Sequence, residues 1–452
     1  NLAIETDPSA PEARRTRAVA RGTFRGLKAS GEGWGGPILN LRDKTLSYPL
    51  DVKAQIGATS AAVRGDVTGL VALTKINLEL KLQGPGLHEL GKIIEISFPD
   101  SAKYWVSGNL TREGDTWRFI AFKGALGKSD VAGEFLFERG GDRPFVRAEL
   151  SSKQLVLDEL PARKMGRKDR DAKPAQFERL RHFDADVTVE AKSIRREQRA
   201  FGNLSARFKL NRGELKLAPL KFDFAGGKVD SNATLNAAAE PPELNAALTV
   251  AQLRLEQVFQ KTNGTAGGNA KVKSSGGSFQ DIVANSNGHV SFAVSEGEIS
   301  GLLVSYVGMN SMGLFSALIG DRTRIPINCA VGDFALKKGV MHTEVLVVDT
   351  TKTDIAGTGT IDLAKRTWDL TFSPLKEEKG IFSGLFSDGA PVHVGGTFKN
   401  PKFKTDASGI TARGGAALAL GIINPLAALI PLLASGPDKE TNCASLMSEA
   451  RG

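Results

Sequence analysis

The sequence predicts a mainly β fold: an elongated, repetitive antiparallel sheet with a few short helices and a hydrophobic C-terminal helical segment. Three observations carry that expectation. Apolar and polar residues alternate over one stretch after another, the period of strands with one wet and one dry face. Glycine supplies 50 of the 452 residues against four Trp and three Tyr, which favours many tight turns over a bulky core. Segments of the chain also resemble one another at intervals, as stacked supersecondary units do.

Taken in order, residues 1–21 are polar and charged with two prolines and are expected to form an irregular lead-in. A first β region spans 22–160. Within it Ile76, Leu78, Leu80 and Leu82 alternate with Asn77, Glu79 and Lys81, a half-buried strand. GLHELGKI after it reads as a short helical corner. Residues 161–182 form a basic loop, dense in Lys and Arg between Arg163 and Arg181 and without apolar periodicity. It reads as a solvated loop or as an electrostatic contact for acidic headgroups.

The second β-repeat unit covers 183–259, and Gly202–Phe259 is its clearest part. Phe208, Leu210, Leu215, Leu217, Leu220, Phe222 and Phe224 alternate with Lys209, Glu214, Lys216, Lys221 and Asp223. Arg212-Gly213 and Gly226-Gly227 sit where the chain must turn. The spacing predicts about four strands ending in the compact corner LRLEQVF. AELSSKQLVLDEL at 148–160 matches AALTVAQLRLEQV at 246–258, and Gly108-Asn109-Leu110 recurs as Gly202-Asn203-Leu204. A looser third copy starts at Cys329.

Residues 260–413 form a third β region. Its Gly/Ser/Asn-rich opening to residue 288 is broken by a helical turn at Phe279–Val283, and a hairpin is expected at HVSFAVSEGEISG. A helix is expected near 302–319, with Leu303, Val307, Leu314 and Leu318 near one face. The last segment, 414–452, joins a hydrophobic helical stretch to a polar tail. Ala416–Ala434 carries no charge, but Asn424-Pro425 and Pro431 break it into two short helices. These either cap an open sheet edge or lie against a membrane or partner.

The net charge of +9 is concentrated in the basic loop, so a general nucleic-acid-binding face is not implied. Cys329 and Cys443 are the two cysteines. They read as two buried thiols in a reducing compartment or as one long-range disulfide in an oxidising one. No catalytic, cofactor-binding or metal site is visible. The five histidines, His88, His182, His289, His342 and His393, show no ligand spacing, and no nucleophile elbow or Walker loop occurs. Gly357-Thr358-Gly359 is followed by a strand pattern and reads as a close strand crossing. An enzyme is therefore not expected.

From LRDKTLSYPLDVKAQIG through LELKLQGPGLHEL, GELKLAPLKFDFAGGKVDSNATLN, GHVSFAVSEGEISGLLV and VGGTFKNPKF to the tail ending in NCASL, the chain resembles the AsmA family of bacterial envelope proteins. The order of these motifs over most of the chain carries the resemblance. It implies a curved sheet forming an apolar groove, akin to bridge-like lipid-transfer proteins. It also implies a periplasmic location with anchoring to the inner membrane through an N-terminal helix that this chain does not contain. Family members are linked to phospholipid traffic, outer-membrane integrity and outer-membrane protein assembly.

On this basis the chain is expected to be a non-enzymatic lipid-binding or lipid-transfer scaffold supporting outer-membrane biogenesis. The alternative is an assembly factor affecting the targeting of outer-membrane proteins. Expected partners are phospholipids or other acyl lipids, the inner or outer membrane, and outer-membrane assembly proteins, with no nucleic acid and no cofactor. Leu215, Leu217, Leu220, Phe222, Phe224 and Leu248 are the expected groove lining. The periplasmic setting makes a Cys329–Cys443 disulfide the expected pairing. About 25 strands at about 4.8 Å would extend a single layer to roughly 120 Å.

Overall fold

The computed structural model of the chain describes residues 1–7, 9–11, 14–38, 45–69, 74–94, 100–159, 177–197, 199–258, 262–300, 324–350, 354–374 and 391–405. The fold is mainly β, with 24 strands and two α-helices among the described residues. The chain divides into two units, Asn1–Phe222 and Asp223–Gly452.

Unit one begins with β1 (Leu2–Thr6), β2 (Thr16–Phe24), β3 (Leu27–Gly35), β4 (Ser47–Ile56), β5 (Thr59–Thr68) and β6 (Lys75–Gly84). Helix α1 (Leu87–Ile94) follows, then β7 (Tyr104–Glu113), β8 (Thr116–Leu126), β9 (Ser129–Glu138) and β10 (Phe145–Ser152). Each strand from β1 to β10 pairs antiparallel with the next. The expected irregular lead-in thus contains β1 and most of β2. Glu5, Arg17 and Arg21 sit on exposed strand positions, where Arg17 pairs with Glu32 at 2.6 Å.

The ladder then departs from a pure meander. After the two-residue β11 (Leu155–Val156) the chain crosses over, and β12 (Asp184–Arg196) lies parallel to β10. A parallel pair needs a crossover of a dozen residues or more, and 157–183 supplies it. The expected basic loop is part of this connection, although 160–176 lie outside the described residues. Antiparallel pairing resumes with β13 (Arg199–Asn211).

The unit boundary falls within β14 (Glu214–Phe224). Unit two continues with β15 (Gly227–Asn236), β16 (Glu243–Arg254), β17 (Thr262–Ser275), helix α2 (Phe279–Ala284) and β18 (Asn287–Ser300). It ends with β19 (Arg324–Lys337), β20 (Val340–Thr350), β21 (Asp354–Asp362), β22 (Thr367–Pro374), β23 (Val392–Thr397) and β24 (Asn400–Thr405). From β15 to β24 each strand pairs antiparallel with its successor.

The four strands expected over Gly202–Phe259 are β13 to β16. Arg212 and Gly213 (φ 47° and 84°) and Ala225 and Gly226 (φ 49° and 74°) form the turns. Two consecutive positive φ values match the right-handed twist of a hairpin. The second turn lies one residue earlier than expected. The matched repeat segments share a form: β10 and β11 lead into a 3₁₀ turn at Leu157–Glu159, and β16 leads into one at Leu255–Gln257.

One local expectation is corrected in unit two. The Gly/Asn-rich stretch after residue 260 is largely the 14-residue strand β17, and the expected hairpin after His289 is the single strand β18. The glycines serve close approach rather than turning. A Cβ at Gly268 would stand 2.5 Å from the Ser291 carbonyl oxygen across the ladder. The expected helical turn is α2, whose N-terminus carries a reciprocal cap: Ser278 Oγ accepts from the Asp281 N–H, and the Asp281 carboxylate accepts from the Ser278 N–H. The expected helix at 302–319 and the expected hydrophobic segment at 414–452 lie outside the described residues.

Candidate functional site

Residues directly opposite one another across a ladder share a face of the sheet. In unit one the register from β2 to β7 lines up Ala20, Gly31, Ala54, Ala61, Leu82 and Val106. A second row on the same face joins Leu50, Gly65, Leu78, Leu110, Phe119 and Phe135. It runs on through Ala148, Val187 and Phe208. The opposite face carries rows such as Asp51, Arg64, Glu79 and Asn109. Arg64 pairs with Asp51 at 2.8 Å there. Farther along, Arg207 and Asp186 are also 2.8 Å apart, and the Arg207 guanidinium holds the Asp186 carboxyl below its usual range against the opposing effect of burial.

The first row forms the floor of a trough of about 790 Å³ that crosses β2 to β7. Its floor is low because four of the six residues are Ala or Gly. Leu82, Val106 and the exposed Trp105 line its far end. Six strands at about 4.8 Å spacing give it a span of roughly 24 Å. A second hollow of about 410 Å³ lies among Leu110, Trp117, Phe119, Phe135 and Phe137, with Arg118. Arg112 stacks over Trp117 at 4.9 Å at its edge.

Unit two carries a face of the same kind. Val229, Val250, Gly268, Phe292, Gly332 and Leu346 align across β15 to β20. Glycine at 332 is required by the ring opposite, since a Cβ there would lie 2.4 Å from Phe292 Cε1. Phe292 stacks on Phe334 with centroids 6.1 Å apart, yet remains 38% exposed while Phe334 is buried.

These faces are dry in composition but thinly covered. Leu78, Leu80 and Leu82 are only half-buried. Among the described residues Phe334 and Val67 are the largest side chains fully withdrawn from solvent. Same-face neighbours shade such residues, whereas a packed second layer would bury them. The four residues of the expected groove lining that lie in unit one, Leu215, Leu217, Leu220 and Phe222, are half-buried on β14, and Phe201 meets Phe222 edge-on at 5.9 Å. In unit two Phe224 is half-buried, and Leu248 is 39% exposed in a row with Ser231 and Ala270.

Cys329 is buried in β19 beside Ala293 and Val331, and it is disulfide-bonded. Cys443 lies outside the described residues. No helix among the described residues is long and apolar enough to cross a membrane.

Residues 163–346 match the model of the AsmA family. Over an alignment of 470 residues the chain is 28% identical to AsmA family protein YhjG of Escherichia coli (strain K12), covering 96% of this chain and 68% of that protein. Both matches support an AsmA family assignment. That assignment supports an envelope-associated role, and neither the family description nor the name of the AsmA relative carries an enzymatic activity. No solved structure matches the chain.

The Ala/Gly trough leaves only a faint mark in the sequence. Ala54 and Ala61 obey the same alternation as Leu82, but small residues give a weak hydrophobic signal. Only the ladder register shows that they continue the row of Leu82.

Proposed function

We propose that the chain is a non-enzymatic scaffold that binds acyl lipids on its apolar sheet faces and conducts them between membranes of the bacterial envelope. The observation that supports this is the continuity of half-buried apolar rows across consecutive strands of each unit. Exposed apolar area on this scale marks a binding surface. An acyl chain suits it because each methylene removed from water contributes about 0.8 kcal/mol. The polar opposite face keeps the scaffold soluble in an aqueous compartment. The proposed location is the periplasm, with anchoring to the inner membrane and a role in outer-membrane biogenesis.

Native mass spectrometry of the purified chain, paired with uptake of a labelled phospholipid, tests the proposal. Co-purifying phospholipid and saturable uptake are expected. Absence of both overturns it.

A second reading, an assembly factor for outer-membrane proteins, draws on β1, where Leu2 and Ile4 are 66% and 51% exposed. An exposed strand of this kind can template another chain. Under that reading, deleting 416–434 abolishes capture of outer-membrane proteins and leaves lipid uptake intact.

A further inference from the structure

Unit two carries a side-chain cluster that the lipid reading does not use. His289 on β18, Asp333 on β19 and Glu344 on β20 stand on three consecutive strands, and one donor atom from each lies within 4.8 Å of the others. The register assembles them. Ser291 faces Asp333, Asp333 faces Val345, and the ladder slips so that Phe334 faces Thr343. Glu344 is thereby the extra residue of a β-bulge, a device that re-aims a side chain.

Asp333 is 2% exposed, and His289 Nε2 abuts its Oδ1 as an ion-pair partner. The other ring nitrogen of His289, Nδ1, is 3.7 Å from Glu344 Oε2. The His289 and Glu344 side chains are 40% and 38% exposed, so the cluster opens to solvent on one side. Burial pushes the Asp333 carboxyl above its ordinary value; His289 opposes this and Glu344 adds to it. A buried carboxylate is costly unless a cation compensates it, a place that a protonated His289 or a metal ion held with it can fill.

We propose that His289, Asp333 and Glu344 bind a divalent transition-metal ion, with zinc the best fit, through one imidazole nitrogen and two carboxylate oxygens. Zinc accepts this mixed nitrogen and oxygen set, whereas calcium takes about six to eight oxygen ligands and magnesium favours carboxylate and water oxygens over imidazole. Zinc bonds of about 2.0–2.2 Å set donors that share an ion about 3–4 Å apart. The two exposed side chains reach that spacing by rotation, while Asp333 is the fixed ligand. Water completes the coordination on the open side. The bound ion ties three strands together across the bulge.

The test is calorimetric titration of the chelator-stripped chain with zinc chloride, with its melting temperature followed in parallel. Binding of one ion per chain and a raised melting temperature are expected. His289→Gln and Glu344→Gln should each weaken binding on the order of 10- to 100-fold. His342→Gln, on β20 two residues before Glu344, should bind as the parent does, and calcium should not substitute. Cobalt gives a readout that needs no variant: visible bands of a low-coordinate nitrogen- and oxygen-ligated ion are expected. A parent chain that binds no zinc and leaves cobalt with its aqueous spectrum overturns the proposal. So does zinc binding that survives both substitutions together.

Discussion

Ala54→Asp places a charge in the middle of the unit-one trough and should abolish most lipid uptake. Ala54 is half-buried between Gly31 and Ala61, and no cation belongs to its row. A carboxylate there is hydrated in the free protein and loses that water beneath an acyl chain. Insertion scales set the cost of a charge in a hydrocarbon environment at about 2.5–3.5 kcal/mol. At about 1.4 kcal/mol per tenfold, affinity should fall on the order of 100-fold. Asn77→Asp adds the same charge on the exposed, polar face of β6 and should leave affinity within about twofold. The assay is equilibrium uptake of a fluorescent phospholipid by the parent and both variants, with circular dichroism to verify that the strands persist. If Ala54→Asp folds and binds as tightly as Asn77→Asp, the trough does not hold acyl chains.

Three further outcomes follow from the geometry. Gly65→Ala should lower the urea midpoint by an amount corresponding to about 1–3 kcal/mol, because Gly65 sits at φ +141° and a Cβ would meet the Asn77 carbonyl oxygen at 2.1 Å. Asp130→Asn should destabilise the chain at neutral pH and progressively less in acid. Burial raises the Asp130 carboxyl, but the N–H groups of Gln154 and Lys153 and the Ser152 hydroxyl outweigh it and depress the folded-state value. A depressed carboxyl contributes stability above its unfolded value, near 4, which is lost as the pH falls through the folded one; melting curves from pH 7 to about pH 2 check this. Non-reducing peptide mapping should recover Cys329 linked to Cys443, and two free thiols in protein from the native compartment would refute that pairing.

Much of the fold was legible because alternation is a local property. The dry positions of β6 and the four strands of Gly202–Phe259 follow from side-chain spacing alone, since successive residues of a strand face opposite sides. The turns at Arg212-Gly213 and Ala225-Gly226 were nearly legible, because few residue pairs adopt two positive φ values. The strands β1, β17 and β18 were harder. Charge, proline and glycine mark loops, yet the same glycines also let backbones approach, as Gly268 does beneath Ser291. The parallel pairing of β10 with β12 had no local sign, because it depends on where a long connection returns the chain.

The sequence by itself determined which faces are apolar, that segments such as 148–160 and 246–258 resemble one another, and that turns separate short strands. Tertiary structure decided the register, and register decides what those faces contain. Ala20, Gly31, Ala54 and Ala61 become one trough floor only because five pairings keep them in step with Leu82 and Val106. His289, Asp333 and Glu344 become one cluster only because the ladder slips at Glu344. Periodicity acts between neighbours in sequence, whereas a site needs donors or walls from distant strands, and only hydrogen-bonded pairing sets that distance.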